Sequence, residues 1–186
     1  MRLFIAIRLP PDLAARAFEI LPTSLPVLRR VKAENLHLTL AFLGQTPDDR
    51  LDDVTAAARD AAAPVSPFTL AFGRAGRFPE RGRPRVAWLG IAEGAPSVLE
   101  LATGVYAGLR SRSLRFDDRP LAPHLTLARV AEDASGAEAK TVGAALEGLA
   151  VPSLRFEVRE IAVVQSVLSP KGPRYTPLAT VPLAHK

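Results

Sequence analysis

The sequence predicts a mixed fold of strands and helices, built as a diverged duplication of one β-α-β-α-β unit. Three observations carry that expectation. Strand-like and helix-like stretches alternate along the 186 residues, the same order occurs twice, and the tetrapeptide His-Leu-Thr-Leu stands at residue 37 and again at residue 124. The 87-residue spacing of the two copies is close to the offset between the halves. At this length one domain is expected over 1–186, with lobe-like halves of about 1–80 and 81–186. No low-complexity linker separates them, so they should share an interface rather than move as beads.

Arg2 to Leu9 is rich in β-formers, and Pro10-Pro11 end it and open a helix over Asp12 to Leu21, closed by Pro22. Leu36 to Leu43 reads as a second strand, ended by Gly44. Thr46 is the expected N-cap of the next helix, with Pro47 at its first position and Asp48 and Asp49 in a first turn where negative charge suits the dipole. Leu51, Val54 and Ala58 give that helix an apolar stripe, and Phe68 to Arg74 alternates as a third strand. The order then returns. Val86 to Ile91 is a strand, Pro96 to Leu109 a helix, Leu121 to Val130 a strand and Ala137 to Leu149 a helix. Leu154 to Val164 reads as one long strand, and Tyr175 to Leu183, interrupted by Pro177, as an edge strand.

Apolar residues make up 48% of the chain, enough for a sizeable core, and cysteine is absent, which excludes disulfides, thiolate metal sites and a cysteine nucleophile. Nothing approaches eighteen consecutive apolar residues, so a membrane span is not expected and a cytoplasmic protein is. The formal net charge is +5, and 20 of the 24 basic residues are Arg, whose planar fork of donors suits phosphate. Codon bias explains such a balance as readily. No HExxH or GxxxxGK[ST] spacing occurs, and Gly104 and Gly108 fall inside a helix rather than in a phosphate loop.

Chemistry concentrates in the repeated tetrapeptide, which holds two of the three histidines; the third, His185, is in the tail and has no expected role. Along a strand side chains alternate, so His37 and Thr39 share a face opposite Leu36, Leu38 and Leu40, and His124 and Thr126 share one opposite Leu125 and Leu127. The leucines anchor the strands to a core and leave the His/Thr faces to line a groove. An imidazole and a hydroxyl at i and i+2, roughly 6.5–7 Å apart, can straddle one small anion. If the halves meet about a pseudo-two-fold axis, two such pairs converge. That quartet fits phosphodiester cleavage without metal: with a pKa of about 6.5, imidazole can act as base or acid, and hydroxyls can donate to the non-bridging oxygens. A lone histidine on a strand is usually a satisfied core or surface group, whereas two equivalent His-x-Thr faces reverse that reading.

At these residues the chain resembles the two-histidine phosphoesterase superfamily, and within it the RNA 2′,3′-cyclic phosphodiesterase group (LigT-like, or 2′-5′ RNA ligase, proteins). The likeness extends to Arg2 through Ile7, Glu34 through Gly44, Phe78-Pro79, Arg85 through Gly90, Arg119 through Arg129, and Gly172-Pro173-Arg174-Tyr175, nearly end to end. It implies a bilobed α+β fold with antiparallel sheets around a central cleft. It also implies hydrolysis of a terminal 2′,3′-cyclic phosphate on RNA to a 2′-phosphate, without cofactor or metal and with no obligate protein partner. Carried over residue by residue, His37 becomes the proton donor to the departing 3′ oxygen, His124 the proton acceptor from water, and Thr39 and Thr126 the phosphate-holding hydroxyls. Some relatives join tRNA halves through a 2′-5′ linkage, which makes tRNA fragments a substrate class and ligation a secondary activity.

Around the quartet, Arg129 follows the second motif and is a further candidate for phosphate contact. Arg74, Arg77, Arg81, Arg83 and Arg85, near Phe72 and Phe78, read as a Gly/Pro-punctuated loop able to follow an RNA backbone and stack a base, or as a solvated connection between the halves. Tyr175 and Arg174 are weaker candidates for RNA contact. Asp48, Asp49, Asp52 and Asp53 resemble a metal cluster, but a helix start explains them better. Two rivals keep part of this picture. One is a phosphodiesterase for small substrates such as cyclic-phosphate nucleotides or an ADP-ribose cyclic phosphate; the other is a non-catalytic module that binds RNA ends.

Overall fold

The structure is a computed structural model that describes residues 1–170 and 172–184, so His185 lies outside the described residues. Among the described residues the order is β1 (Arg2–Arg8), α1 (Pro11–Phe18), β2 (Leu28–Arg30), a 3-10 turn (Ala33–Asn35), β3 (His37–Gln45), a second 3-10 turn (Asp48–Arg50), α2 (Leu51–Ala62), β4 (Phe68–Phe78) and β5 (Val86–Glu93). There follow α3 (Ala95–Ser111), β6 (His124–Val130), α4 (Gly136–Glu147), β7 (Leu154–Val158), β8 (Glu160–Val167) and β9 (Arg174–Pro182). The fold is α+β and its strand pairings are antiparallel, as the resemblance implies.

The strands form one path, β7-β4-β5-β6-β3-β1-β8-β9, with β2 beside β6. Two four-stranded sets, β3-β1-β8-β9 and β6-β5-β4-β7, meet only where β3 touches β6. They do not divide at residue 80. Strand β4 precedes that point yet joins the second set, and the β8–β9 hairpin returns to the first. The helices cross over as well: α2 and α3 pack together on the β3-β1-β8-β9 set, whereas α1 lies against β7 and α4 against β4.

Strand β1 shows how the sequence builds this. Its apolar run is buried on both faces because β1 is central, with β3 on one side and β8 on the other. Leu3, Ile5 and Ile7 enter the main core under the helices. Phe4 and Ala6 face the opposite way and pack with Ala162, Val164 and Tyr175 in a second, smaller cluster. Each large side chain so buried contributes about 1.5–3 kcal/mol. Gly104 and Gly108 have a packing role: a Cβ at either would lie 3.0 Å from Ala61 or Ala57, so α3 and α2 approach closely only because those side chains are absent.

Several sequence expectations need correction. Leu154 to Val164 is not one strand: Leu154–Val158 pairs with β4, Glu160–Val167 pairs with β1, and Arg159 alone lies between them. One residue spans only about 3.3 Å, so the sheet curls until its distant strands nearly meet, and no straight strand can serve both pairings. Thr46 does not cap a helix; it is buried, and its hydroxyl donates to the Gly44 carbonyl. The chain first makes the 3-10 turn after Pro47, and α2 begins at Leu51. The acidic run serves that start, with Asp48 paired to the Met1 amine at 2.8 Å and Asp53 to Arg50 at 2.7 Å. Strand β2 was missed because three residues are too few to show a period. Arg74 and Arg77 belong to strand β4 rather than to a loop.

Candidate active site

The two tetrapeptides are neighbours in the sheet. Leu38 pairs with Leu125, the only position at which β3 and β6 are in register, after which β2 takes over the edge of β6 at Ala128 to Val130. Leu38, Leu40 and Leu125 are fully buried and Leu127 nearly so, while His37, Thr39, His124 and Thr126 are half-buried on the opposite face. The antiparallel sense of the Leu38–Leu125 pair sets His37 across from Thr126 and Thr39 across from His124. The two histidines are therefore diagonal neighbours, about 7–8 Å apart at their backbones. That spacing admits one phosphoryl group between the rings.

Each motif strand carries a bulge just beyond its threonine. Ala6 pairs with Thr39 and Ile5 with Ala41, leaving Leu40 extra; Trp88 pairs with Thr126 and Ala87 with Ala128, leaving Leu127 extra. A bulge reverses the alternation. The buried positions accordingly shift from Leu38 and Leu40 to Ala41 and Leu43, and from Leu125 and Leu127 to Ala128 and Val130. Phe42 and Arg129 thereby return to the His/Thr face at equivalent places. Arg129 is exposed and its charge reaches Tyr175, whereas Phe42 carries the Arg2 guanidinium 5.0 Å above its ring.

The imidazoles are held alike. His37 Nδ1 is 2.7 Å from the Asn35 carbonyl oxygen, and His124 Nδ1 is 2.6 Å from that of Ala122. A carbonyl only accepts, so in both rings Nδ1 carries hydrogen and donates, leaving Nε2 as the reactive nitrogen. Each ring is also flanked by aromatic side chains. Phe4 and Tyr175 lie 4.7 and 5.3 Å from His37; Phe78 and Trp88 lie 5.0 and 6.3 Å from His124. Burial pushes the His37 pKa below the usual imidazole value, opposed by the hydrogen bond to Asn35 and aided by the nearby positive charges of His124 and Arg8. Burial pushes the Tyr175 hydroxyl up, offset in part by Arg129 and Arg2.

Of the aromatic and basic candidates, the structure brings Phe78 and Tyr175 to the histidines and Arg129 to the same face. Arg77 does not join them. Its guanidinium lies near Gly143 of α4, on the helix side of the sheet, and donates to the Gly82 carbonyl at 2.6 Å. Arg83 donates to the carbonyls of Glu132 and Ala134, tying its own loop to the chain after β6. Arg81 is exposed beyond the strand end and contacts neither motif. Sequence reasoning assigned no site role to Phe4, Trp88 or Asn35, although all three fall in the stretches that carry the resemblance. Among the described residues no three metal-ligating side chains converge, and no helix is long and apolar enough to cross a membrane.

Trp88, the single tryptophan, lies across Gly76, where a Cβ would stand 2.3 Å from the indole. Gly76→Ala must displace that ring, and with it the Phe78 and His124 rings it packs against. Such overpacking costs about 1–3 kcal/mol. The expected outcome is a folded protein with a shifted tryptophan emission and lowered turnover; an unchanged spectrum would show that the indole is not held there.

Two His-x-Thr faces joined across one antiparallel register position, with both Nε2 atoms directed to the same concave face, define a two-histidine phosphoesterase site. The sequence profile of the 2′-5′ RNA ligase superfamily matches residues 10–169, and the chain belongs to that family. It is 39% identical to an RNA 2′,3′-cyclic phosphodiesterase of Thermus thermophilus, with 96% of this chain and 88% of that protein covered. It is 32% identical to one of Archaeoglobus fulgidus, with 96% and 98% covered. Against a third, from Geobacillus stearothermophilus, it is 37% identical and spans about half of that protein's length, 49%, with 87% of this chain covered. The fold is similar to a solved Thermus thermophilus structure, with a TM-score of 0.77 and 32% identity over 98% of both chains. It is likewise similar to Escherichia coli LigT complexed with 3′-AMP, with a TM-score of 0.76 and 27% identity over 99% of this chain and 98% of that one.

Proposed function

We propose that this chain hydrolyses the terminal 2′,3′-cyclic phosphate of RNA to a 2′-phosphate, with His37 as proton donor and His124 as proton acceptor. The observation that carries the reading is the Leu38–Leu125 pair, which sets two imidazoles and two hydroxyls on one face around a phosphate-sized space. Water attacks phosphorus as His124 Nε2 takes its proton. The bond from phosphorus to the 3′ oxygen breaks, and His37 Nε2 delivers a proton to that oxygen. The products are a 2′-phosphate and a 3′ hydroxyl, and the two rings exchange protons with solvent to reset. Thr39 and Thr126 donate to the non-bridging oxygens, and Arg129 adds positive charge at the same group. A 5′ hydroxyl in place of water gives a 2′-5′ linkage by the same displacement, which is the secondary activity, with tRNA fragments as substrates.

An oligonucleotide ending in a cyclic phosphate tests this, assayed in excess EDTA with phosphorus NMR to identify the product. Formation of the 2′-phosphate supports the reading. Binding without turnover would instead favour an RNA-end binding module.

The electrostatics add a pH prediction. A donor must be protonated, and burial holds His37 below about 6.5, the ordinary imidazole value. In the free enzyme its protonated fraction is therefore lost as pH rises through that lowered value. The limb of kcat/KM set by His37 is expected below pH 6.5 or so. A bound phosphodiester anion favours the imidazolium, so the same limb in kcat should move to higher pH. Single-turnover rates across pH 5–9 on either side of these values check it; a flat profile would remove the two-histidine proton transfers.

A further inference from the structure

Besides the space between the motifs, one cavity adjoins the reaction centre. It measures about 450 Å³ and is lined by Lys32, Glu34, Asn35, Pro173, Arg174 and Tyr175, in the size range of sites for small ligands. Two contacts tie it to His37. The Tyr175 ring lies 5.3 Å from the imidazole, and Asn35 accepts from His37 Nδ1 through its carbonyl while its side-chain amide donates to the Pro173 carbonyl at 2.9 Å. The wall of the cavity and the orientation of the histidine thus depend on one buried side chain. The other sizeable cavity, about 570 Å³, lies between α1 and the segment before β7, at Ala15, Glu19 and Pro152, and touches neither motif.

Charge is distributed unequally about the pseudo-two-fold axis. Arg8 pairs with His37 across β1 and β3, whereas Gly90 occupies the matching place beside His124. Lys32 and Arg174 add two cations against the single carboxylate of Glu34 on the His37 side. On the His124 side, Arg77 and Arg83 are turned to backbone carbonyls. Reaction geometry points the same way. The leaving 3′ oxygen and the retained 2′ oxygen both belong to the terminal ribose, so the RNA body must lie on the side of the proton donor, with the attacking water opposite.

We infer that this cavity seats the nucleotide on the 5′ side of the cyclic-phosphate-bearing one, with Lys32 and Arg174 on the phosphodiester that joins them, so that the RNA strand leaves the site past His37. The inference rests on the hydrolase reading above and makes the enzyme selective for an RNA end over a free cyclic nucleotide. Lysine and arginine without base contacts hold a phosphate in position without reading sequence, so the selectivity is for chain length and not for base.

The test compares adenosine 2′,3′-cyclic phosphate with the adenylyl dinucleotide ending in the same group. Wild-type kcat/KM is expected to favour the dinucleotide, and the Lys32→Gln/Arg174→Gln double variant to lower that ratio by about tenfold or more. Each single variant should also reduce the salt dependence of dinucleotide KM, by a slope of about 0.7 per lost phosphate contact. A misfolded variant lowers both substrates together and cannot mimic a changed ratio. Equal wild-type efficiency on the two substrates, or a ratio unmoved by the double variant, would overturn the subsite and leave the hydrolase reading standing. Absence of turnover on both would overturn the hydrolase reading, and the subsite with it.

Discussion

Replacing His37 or His124 by alanine is expected to lower kcat/KM on a cyclic-phosphate-ended RNA by about 10²–10⁴ each, or roughly 3–5 kcal/mol of barrier. Both rings are half-buried, and each donates Nδ1–H to the carbonyl two residues before it. Alanine therefore removes the Nε2 that moves a proton, and it leaves a carbonyl acceptor without its donor. The two losses should not add. Attack by water and departure of the 3′ oxygen are halves of one displacement, so the double variant should fall little below the worse single one. Product formation by single-turnover assay measures this, with circular dichroism confirming the fold. Full activity in either single variant would remove that ring from the chemistry, and losses that multiply would mean that the rings act in separate steps.

How legible this site was in the chain depends on the residue. His37, Thr39, His124 and Thr126 could be assigned to shared faces because strict alternation holds from the first histidine to the threonine of each motif. It fails immediately afterwards. The bulges at Leu40 and Leu127 invert the parity, and nothing in a run of Leu-Ala-Phe or Leu-Ala-Arg shows that an extra residue has been absorbed. Arg129 was singled out by its nearness to the motif, but its facing could not be derived, and Phe42, at the equivalent place, went unremarked. The duplication was legible as an order of elements, whereas the spatial halves were not, because strand partners are chosen at long range. The return of β8 and β9 to β1 after the second half depends on a break at Arg159, a residue that leaves no mark on composition. Aromatic flanking was partly visible: Phe78 and Tyr175 were candidates for base stacking, and the structure places them against the histidine rings. Arg77 illustrates the opposite failure. Counting basic residues in a segment cannot tell which of them a strand turns towards the helices.

Thr39→Val and Thr126→Val are expected to cost about 10²–10³ each in kcat, the loss that follows removal of one donor to developing negative charge. The substitution isolates the hydroxyl. Valine keeps the branched shape that suits a strand, and neither hydroxyl makes a hydrogen bond with another described residue, so a half-buried methyl replaces it with little change in packing. Stability should stay within about 0.5 kcal/mol of wild type. Register sharpens the expectation, because each threonine stands across from the histidine of the other motif. Thr126 would then hold the phosphate against the ring that protonates the leaving oxygen, and Thr39 would hold it against the ring that activates water. Serine at either position retains the donor and should recover most of the lost rate, which a purely steric role would not allow. If both valine variants keep wild-type kcat and only raise KM, the hydroxyls bind ground state and transition state alike, and the charge on phosphorus must be met by Arg129 instead.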